Sequence, residues 1–188
     1  ELKVALTRHE ELFGQLKTKY LLQGNSVEHV MREAKEDLNA AVTNCTPEHP
    51  ESACGLITHL AACYSIIKCG REFIEAPAAE QPDRFVAPHR AQILTIYRLL
   101  HAHKTGQVSF WSWLIGAKGS ARARKVPENH LAQVLTGEGK CLTLGLLAAF
   151  LGLQNVGSDV VCYRRVLTEQ DWQAMLPFYR FVGVEDKI

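Results

Sequence analysis

An excess of charge of either sign is missing from this chain of 188 residues, where 21 Lys and Arg stand against 20 Asp and Glu and leave a net +1. No long-range field therefore draws the whole molecule to nucleic acid or to an anionic membrane, and any charge-led partner must be met locally. Long apolar runs are missing too. The longest, Leu142 to Leu153, is about a dozen residues where a bilayer span needs about twenty, so no integral membrane segment is expected. The first residues, from Glu1 on, carry charges at nearly every turn and no apolar core, which predicts no secretory signal. With 13 Gly, 7 Pro and no internal repeat, collagen-like and linker-like material is excluded.

What is present is a globular composition, 47% hydrophobic and 22% charged, far from that of a disordered chain. The length suits one domain, or a small domain with part of another. Six cysteines (Cys45, Cys54, Cys63, Cys69, Cys141, Cys162) would allow three disulfides. A chain this long buries enough surface to do without them, so they read as reduced thiols in a cytoplasmic setting.

The first two-fifths are patterned as helices. Leu6, Phe13, Leu16 and Tyr20 recur at helical spacing until Gly24-Asn25 breaks the pattern. Asn25 and Glu28 have capping-box spacing, and Val27, Val30, Met31, Ala34, Leu38 and Ala41 then share a face. Pro47 and Pro50 mark a loop before a third run, Leu56, Ile57, Leu60, Ala61, Tyr64 and Ile67. Ala76 to Pro88, with three prolines and two acids, reads as a linker or lid, and Ile93, Ile96, Tyr97 and Leu100 as a fourth helix.

Beyond Gly106 the texture changes. Phe110, Trp111 and Trp113 precede a Gly-rich and basic stretch, residues 116–125, that reads as an exposed loop. Leu131 to Leu135 has the length of a strand, Leu142 to Leu153 that of a helix, and Asp159 to Tyr163 reads as a second strand. Thr168 and Asp171 suggest the start of a last helix that ends near Gly183, with Pro177 kinking it. Strand, loop, helix, strand, helix is the order of a parallel βαβα unit.

The sharpest chemical feature lies between the first of those strands and its helix: Thr136, Gly137, Glu138, Gly139 and Lys140. Glycines there let backbone N–H groups close around phosphate oxygens, the positive helix end favours the anion, and Lys140 supplies a point charge. The next position, where a phosphate loop carries Ser or Thr for Mg²⁺, is Cys141. Mg²⁺ prefers oxygen to sulfur, so ATP or ADP is expected to bind with only weak use of Mg²⁺.

Other groups point less far. Lys118, Arg122, Arg124 and Lys125 lack interleaved aromatics and read as a solvated loop rather than a nucleic-acid surface. His59 and Cys63 stand i, i+4 with other cysteines near, yet none has the Cys-x-x-Cys spacing of structural zinc, so buried helix-face thiols are expected. His101 and His103 are given no catalytic role.

Several pieces together resemble the SecA family, the ATP-driven motors of preprotein translocation. Residues 90–94 (Arg-Ala-Gln-Ile-Leu) are similar to its Gln-bearing segment, and residues 132–143 to its Thr-Gly-Glu-Gly-Lys-Thr-Leu-Thr loop. Residues 159–163, 167–171 and 177–184 resemble the segments that follow. The resemblance implies that Gln92 contacts the adenine edge and that the amides of Gly137 to Lys140 hold the phosphates. The family's Asp-Glu-x-Asp acidic motif has no counterpart here, which with Cys141 argues against hydrolysis by this chain.

The expectation is therefore a helix-dominated α/β protein, with a helical region over residues 1–87 and an incomplete parallel P-loop unit, RecA-like, over residues 88–188. Its cofactor-binding residues are Gln92, Thr136, Gly137, Glu138, Gly139, Lys140 and Cys141, with no catalytic or metal-ligating set. The function expected is ATP or ADP binding within a SecA-like translocation motor. The alternative is a non-enzymatic helical module that binds a protein partner beside a degenerate phosphate loop.

Overall fold

Helical periodicity becomes helix through most of the computed structural model, which describes residues 2–21, 23, 25–45, 50–76, 86–100, 139–161 and 164–188. Helix α1 (Leu2–Leu21) buries Leu6, His9, Leu16 and Tyr20 along one side. Helix α2 (Val27–Asn44) buries Val30, Ala34 and Leu38, one residue per turn. Its N-cap is Ser26, whose hydroxyl accepts the His29 amide at 3.4 Å. The capping role read for Asn25 thus moves one residue on, because an N-cap needs extended backbone immediately before the first helical residue, and Ser26 has ψ 148°.

Helix α3 (Pro50–Glu75) opens on a proline whose missing N–H would have no partner in a first turn anyway. Its middle is apolar all round, and Leu56, Ile57, Leu60, Ala61 and Ile66 are completely enclosed. Burial on this scale, about 1.5–3 kcal/mol per large aliphatic side chain, makes α3 the centre of the core. Its Ser52–Arg71 stretch has the length and hydropathy to cross a membrane, but 67% of it is buried inside this fold. The apolar composition is met by neighbouring helices: α1 and α2, then α5 (Lys140–Leu153) and α6 (Arg165–Val182). Within α3, Gly70 takes φ 76° and ψ 177°, a conformation essentially restricted to glycine, and the chain bends there before Phe73 and Ile74 return to the core.

Polar contacts tie α1 to its neighbours. Thr58 donates to the Cys54 carbonyl at 2.7 Å, so its oxygen must accept from His9 Nδ1, 2.8 Å away. That fixes the neutral Nδ1–H tautomer. Burial lowers the His9 pKa to about 4, and the ring stacks on Phe13 and meets the edge of Tyr97. At the far end, Asp37 of α2 accepts from Lys19 at 2.6 Å and from the buried Tyr20 hydroxyl. Burial alone would raise the Asp37 pKa, but these two hydrogen bonds outweigh it and hold the carboxyl below its ordinary value.

Helix α4 (Arg90–Leu99) buries Gln92, Ile93, Ile96 and Tyr97 against α1 and α5. Helix α5 packs its Gly145 on Met175 of α6, and Gly152 on Val184. Helix α6 starts at Arg165, so Thr168 is not its cap: its hydroxyl bonds back to the Arg164 carbonyl at 3.2 Å. The helix runs on through Pro177 and stops at Gly183, φ 80°, whose N–H returns to Tyr179 at 2.8 Å. A short 3-10 turn, Glu185–Lys187, then places Lys187 Nζ on the Gly152 carbonyl at 3.0 Å.

The expected parallel βαβα unit is not seen, and the α/β class gives way to an all-helical one among the described residues. Leu131 to Leu135 lies outside those residues. Asp159 to Val161 lies within them and forms no strand, with Val161 86% exposed. A strand exists only against another strand's backbone; here the adjacent Ser158 N–H bonds instead to the Lys187 carbonyl in the 3-10 turn, at 3.0 Å. The apolar pair Val160-Val161 is compatible with either outcome, and tertiary context selects the irregular one.

Candidate functional site

The site is built at the head of α5. Gly139, its N-cap, takes φ 68° and ψ 46°, left-handed backbone that admits glycine without penalty. The next residue, Lys140, opens the helix and is exposed, and the first turn contains no acid. A helix N-terminus of this kind carries about half a positive charge from its amides and favours an anion.

Helix α4 covers that turn from the other side. Its third residue, Gln92, is 5% exposed, and its side-chain carbonyl accepts the His89 amide at 2.8 Å, capping α4. The amide end of the same side chain donates to the Gly139 carbonyl at 3.4 Å. A Cβ on residue 139 would lie 2.2 Å from Gln92 Nε2, so the close approach depends on glycine. The Gly139 carbonyl also receives the N–H groups of Leu142 at 3.1 Å and Thr143 at 3.3 Å.

Cys141 is half-buried beside the phenols of Tyr64 and Tyr179. Burial first, and the nearby thiol second, push both phenols up, Tyr179 to about 12, so both stay neutral hydroxyls. None of the five described cysteines is in a disulfide.

Of the residues read from sequence, the structure brings Gln92 onto Gly139 across 47 residues of chain, with Lys140 and Cys141 following Gly139 in the first turn of α5. Thr136, Gly137 and Glu138 lie outside the described residues, as do Lys118, Arg122, Arg124, Lys125, His101 and His103. His59 Nδ1 lies 2.9 Å from the Gly55 carbonyl, as an N–H donor to it. Cys63 is fully enclosed, its pKa pushed up to about 12 by burial. Among the described residues no three His, Cys, Asp or Glu side chains gather as a metal would require. Thr143 closes the loop segment that resembles the family's but is absent from the expected site residues; the structure buries its hydroxyl one turn into α5, four residues after Gly139.

The described residues offer an anion a helix N-terminus at Gly139–Lys140, with the Gln92 carboxamide packed on its cap. They fit Mg²⁺ poorly, since the position nearest the loop lysine offers a soft thiol. A family model described as the SecA DEAD-like domain matches residues 67–188, from within α3 through the 3-10 turn. No curated protein and no solved structure matches the chain.

Proposed function

The chain belongs to the SecA DEAD-like domain family, and from that premise we propose that it binds ATP or ADP at the head of α5 as the nucleotide-holding part of a protein-translocation motor. In this reading the amides from Gly137 to Lys140 cradle the phosphates, with Thr136 and Glu138 completing the loop. Lys140 adds its charge, and Gln92 meets the adenine edge. The observation that supports the reading is the seating of Gln92 on Gly139, which sets the carboxamide proposed to meet the base beside a helix end that favours an anion.

The proposal includes no hydrolytic step. When bound, Mg²⁺ would neutralise phosphate charge, but Cys141 is a poor ligand for it, so affinity should depend little on the metal. The proposed setting is the cytoplasm. Protein partners would be met by the helical region of residues 1–87, the nucleotide-holding lobe comprising residues 88–188.

Isothermal titration of the whole chain with ATP and ADP, each with and without Mg²⁺, tests this. Nucleotide should bind in both conditions, and Lys140→Ala should weaken it by about tenfold or more, or 1.4 kcal/mol. Absence of binding by either nucleotide would leave the second reading, a helical protein-interaction module with a degenerate phosphate loop, which the thiol at position 141 favours.

A further inference from the structure

We propose that Thr143 is a positioning residue for the nucleotide loop, a stand-by hydroxyl that takes over the Gly139 carbonyl when Gln92 turns to the base. The inference rests on the nucleotide reading above and adds to it a role for Thr143, the last residue of the loop segment, to which the sequence analysis assigns none.

Thr143 is 3% exposed, and its hydroxyl oxygen has no hydrogen-bond partner in the structure. That is unusual within this fold. Thr18, Thr43, Thr58, Thr95 and Thr168 all donate to the carbonyl four residues earlier, at 3.0, 2.9, 2.7, 2.8 and 3.2 Å. Helix stereochemistry makes that bond the ready one, because side chains lean toward the helix N-terminus and one Thr rotamer lays the hydroxyl on the i−4 carbonyl. For Thr143 the i−4 carbonyl belongs to Gly139.

That carbonyl is already occupied by the amides of Leu142 and Thr143 and by Gln92 Nε2, the last at 3.4 Å, the longest of the three. A carbonyl oxygen has two lone pairs, so three donors saturate it and a fourth has no place. Gln92 and Thr143 therefore compete for one acceptor. In this structure Gln92 holds it and the Thr143 hydroxyl goes without. Once the Gln92 amide is drawn to an adenine, rotation about χ1 lets Thr143 donate to Gly139, so the left-handed turn stays anchored while the carboxamide is released.

The prediction has opposite signs in the two states. Thr143→Val keeps the shape and deletes a buried hydroxyl that has no partner when the site is empty, so the melting temperature of the nucleotide-free chain should rise. The same change removes a bond made only with nucleotide present, so the Kd for ATP should rise about three- to tenfold. Thr143→Ser, which retains the hydroxyl, should bind like the parent. Titration of ATP into the full chain and both variants, with thermal melts of each without nucleotide, reads all of this. If the parent binds ATP and Thr143→Val binds equally well, or if Thr143→Val melts lower than the parent, the exchange is wrong while the nucleotide reading stands. If the parent itself binds no ATP, both fail, and the two failures are told apart by that one measurement.

Discussion

Gln92 and Gly139 meet so closely that the space a side chain on residue 139 would need is filled by the Gln92 amide nitrogen, 2.2 Å from an ideal Cβ. The contact joins the N-terminal end of α4 to that of α5, and it is the most specific thing the tertiary structure adds to the sequence motif.

Replacing that glycine tests the contact directly. Gly139→Ala introduces both a left-handed backbone penalty, about 1–2 kcal/mol, and a clash with Gln92. Urea denaturation should show a loss of at least that size, and Gln92→Ala in the same background should recover the steric part but not the backbone part. A Gly139→Ala chain as stable as the parent would contradict the geometry.

His9 makes stability depend on pH. Its folded pKa is lowered from 6.5 to about 4, so the folded state holds the ring neutral while the unfolded chain takes up a proton more readily. The contribution is complete above pH 6.5 and is lost as the pH falls through 4. The whole shift corresponds to about 3 kcal/mol. Urea midpoints measured from pH 7 down to pH 4 should fall, and His9→Gln should flatten that slope; an unchanged slope in the variant would assign the dependence to other groups.

Two glycines of the same helix should respond in opposite directions. Gly70 sits at φ 76° and ψ 177° with open space around it, so Gly70→Ala should destabilise through backbone strain alone, by about 1–3 kcal/mol. Gly55 lies in regular helix, also with open space around it, and Gly55→Ala should stabilise by about 1 kcal/mol through helix propensity. Thermal melts of the pair, compared with the parent, would refute the account if both moved the same way.

Much of the framework was legible in the order of residues. The spacing of Leu6, Leu16 and Tyr20, of Val30, Ala34 and Leu38, and of Ile93, Ile96 and Tyr97 reports which side of each helix is buried, because a 3.6-residue period is a local property. The end of α6 at Gly183 was equally visible, since a left-handed cap asks for glycine. The residues that suggest helix starts lie one and four positions from the observed caps, Asn25 from Ser26 and Thr168 from Arg164, because several nearby polar residues can serve and only backbone dihedrals choose among them.

Local chemistry by itself determined that this chain makes amphipathic helices around an apolar central one, and that a glycine turn leads into a lysine-headed helix. Tertiary structure decided three things that spacing could not. It made Asp159 to Val161 irregular, since a strand depends on a partner far away in sequence. It enclosed an apolar α3 within the bundle, since burial depends on what packs around it. It set Gln92 on Gly139 and left the Thr143 hydroxyl without a bond, since competition for one carbonyl arises only when two helices 47 residues apart are brought face to face.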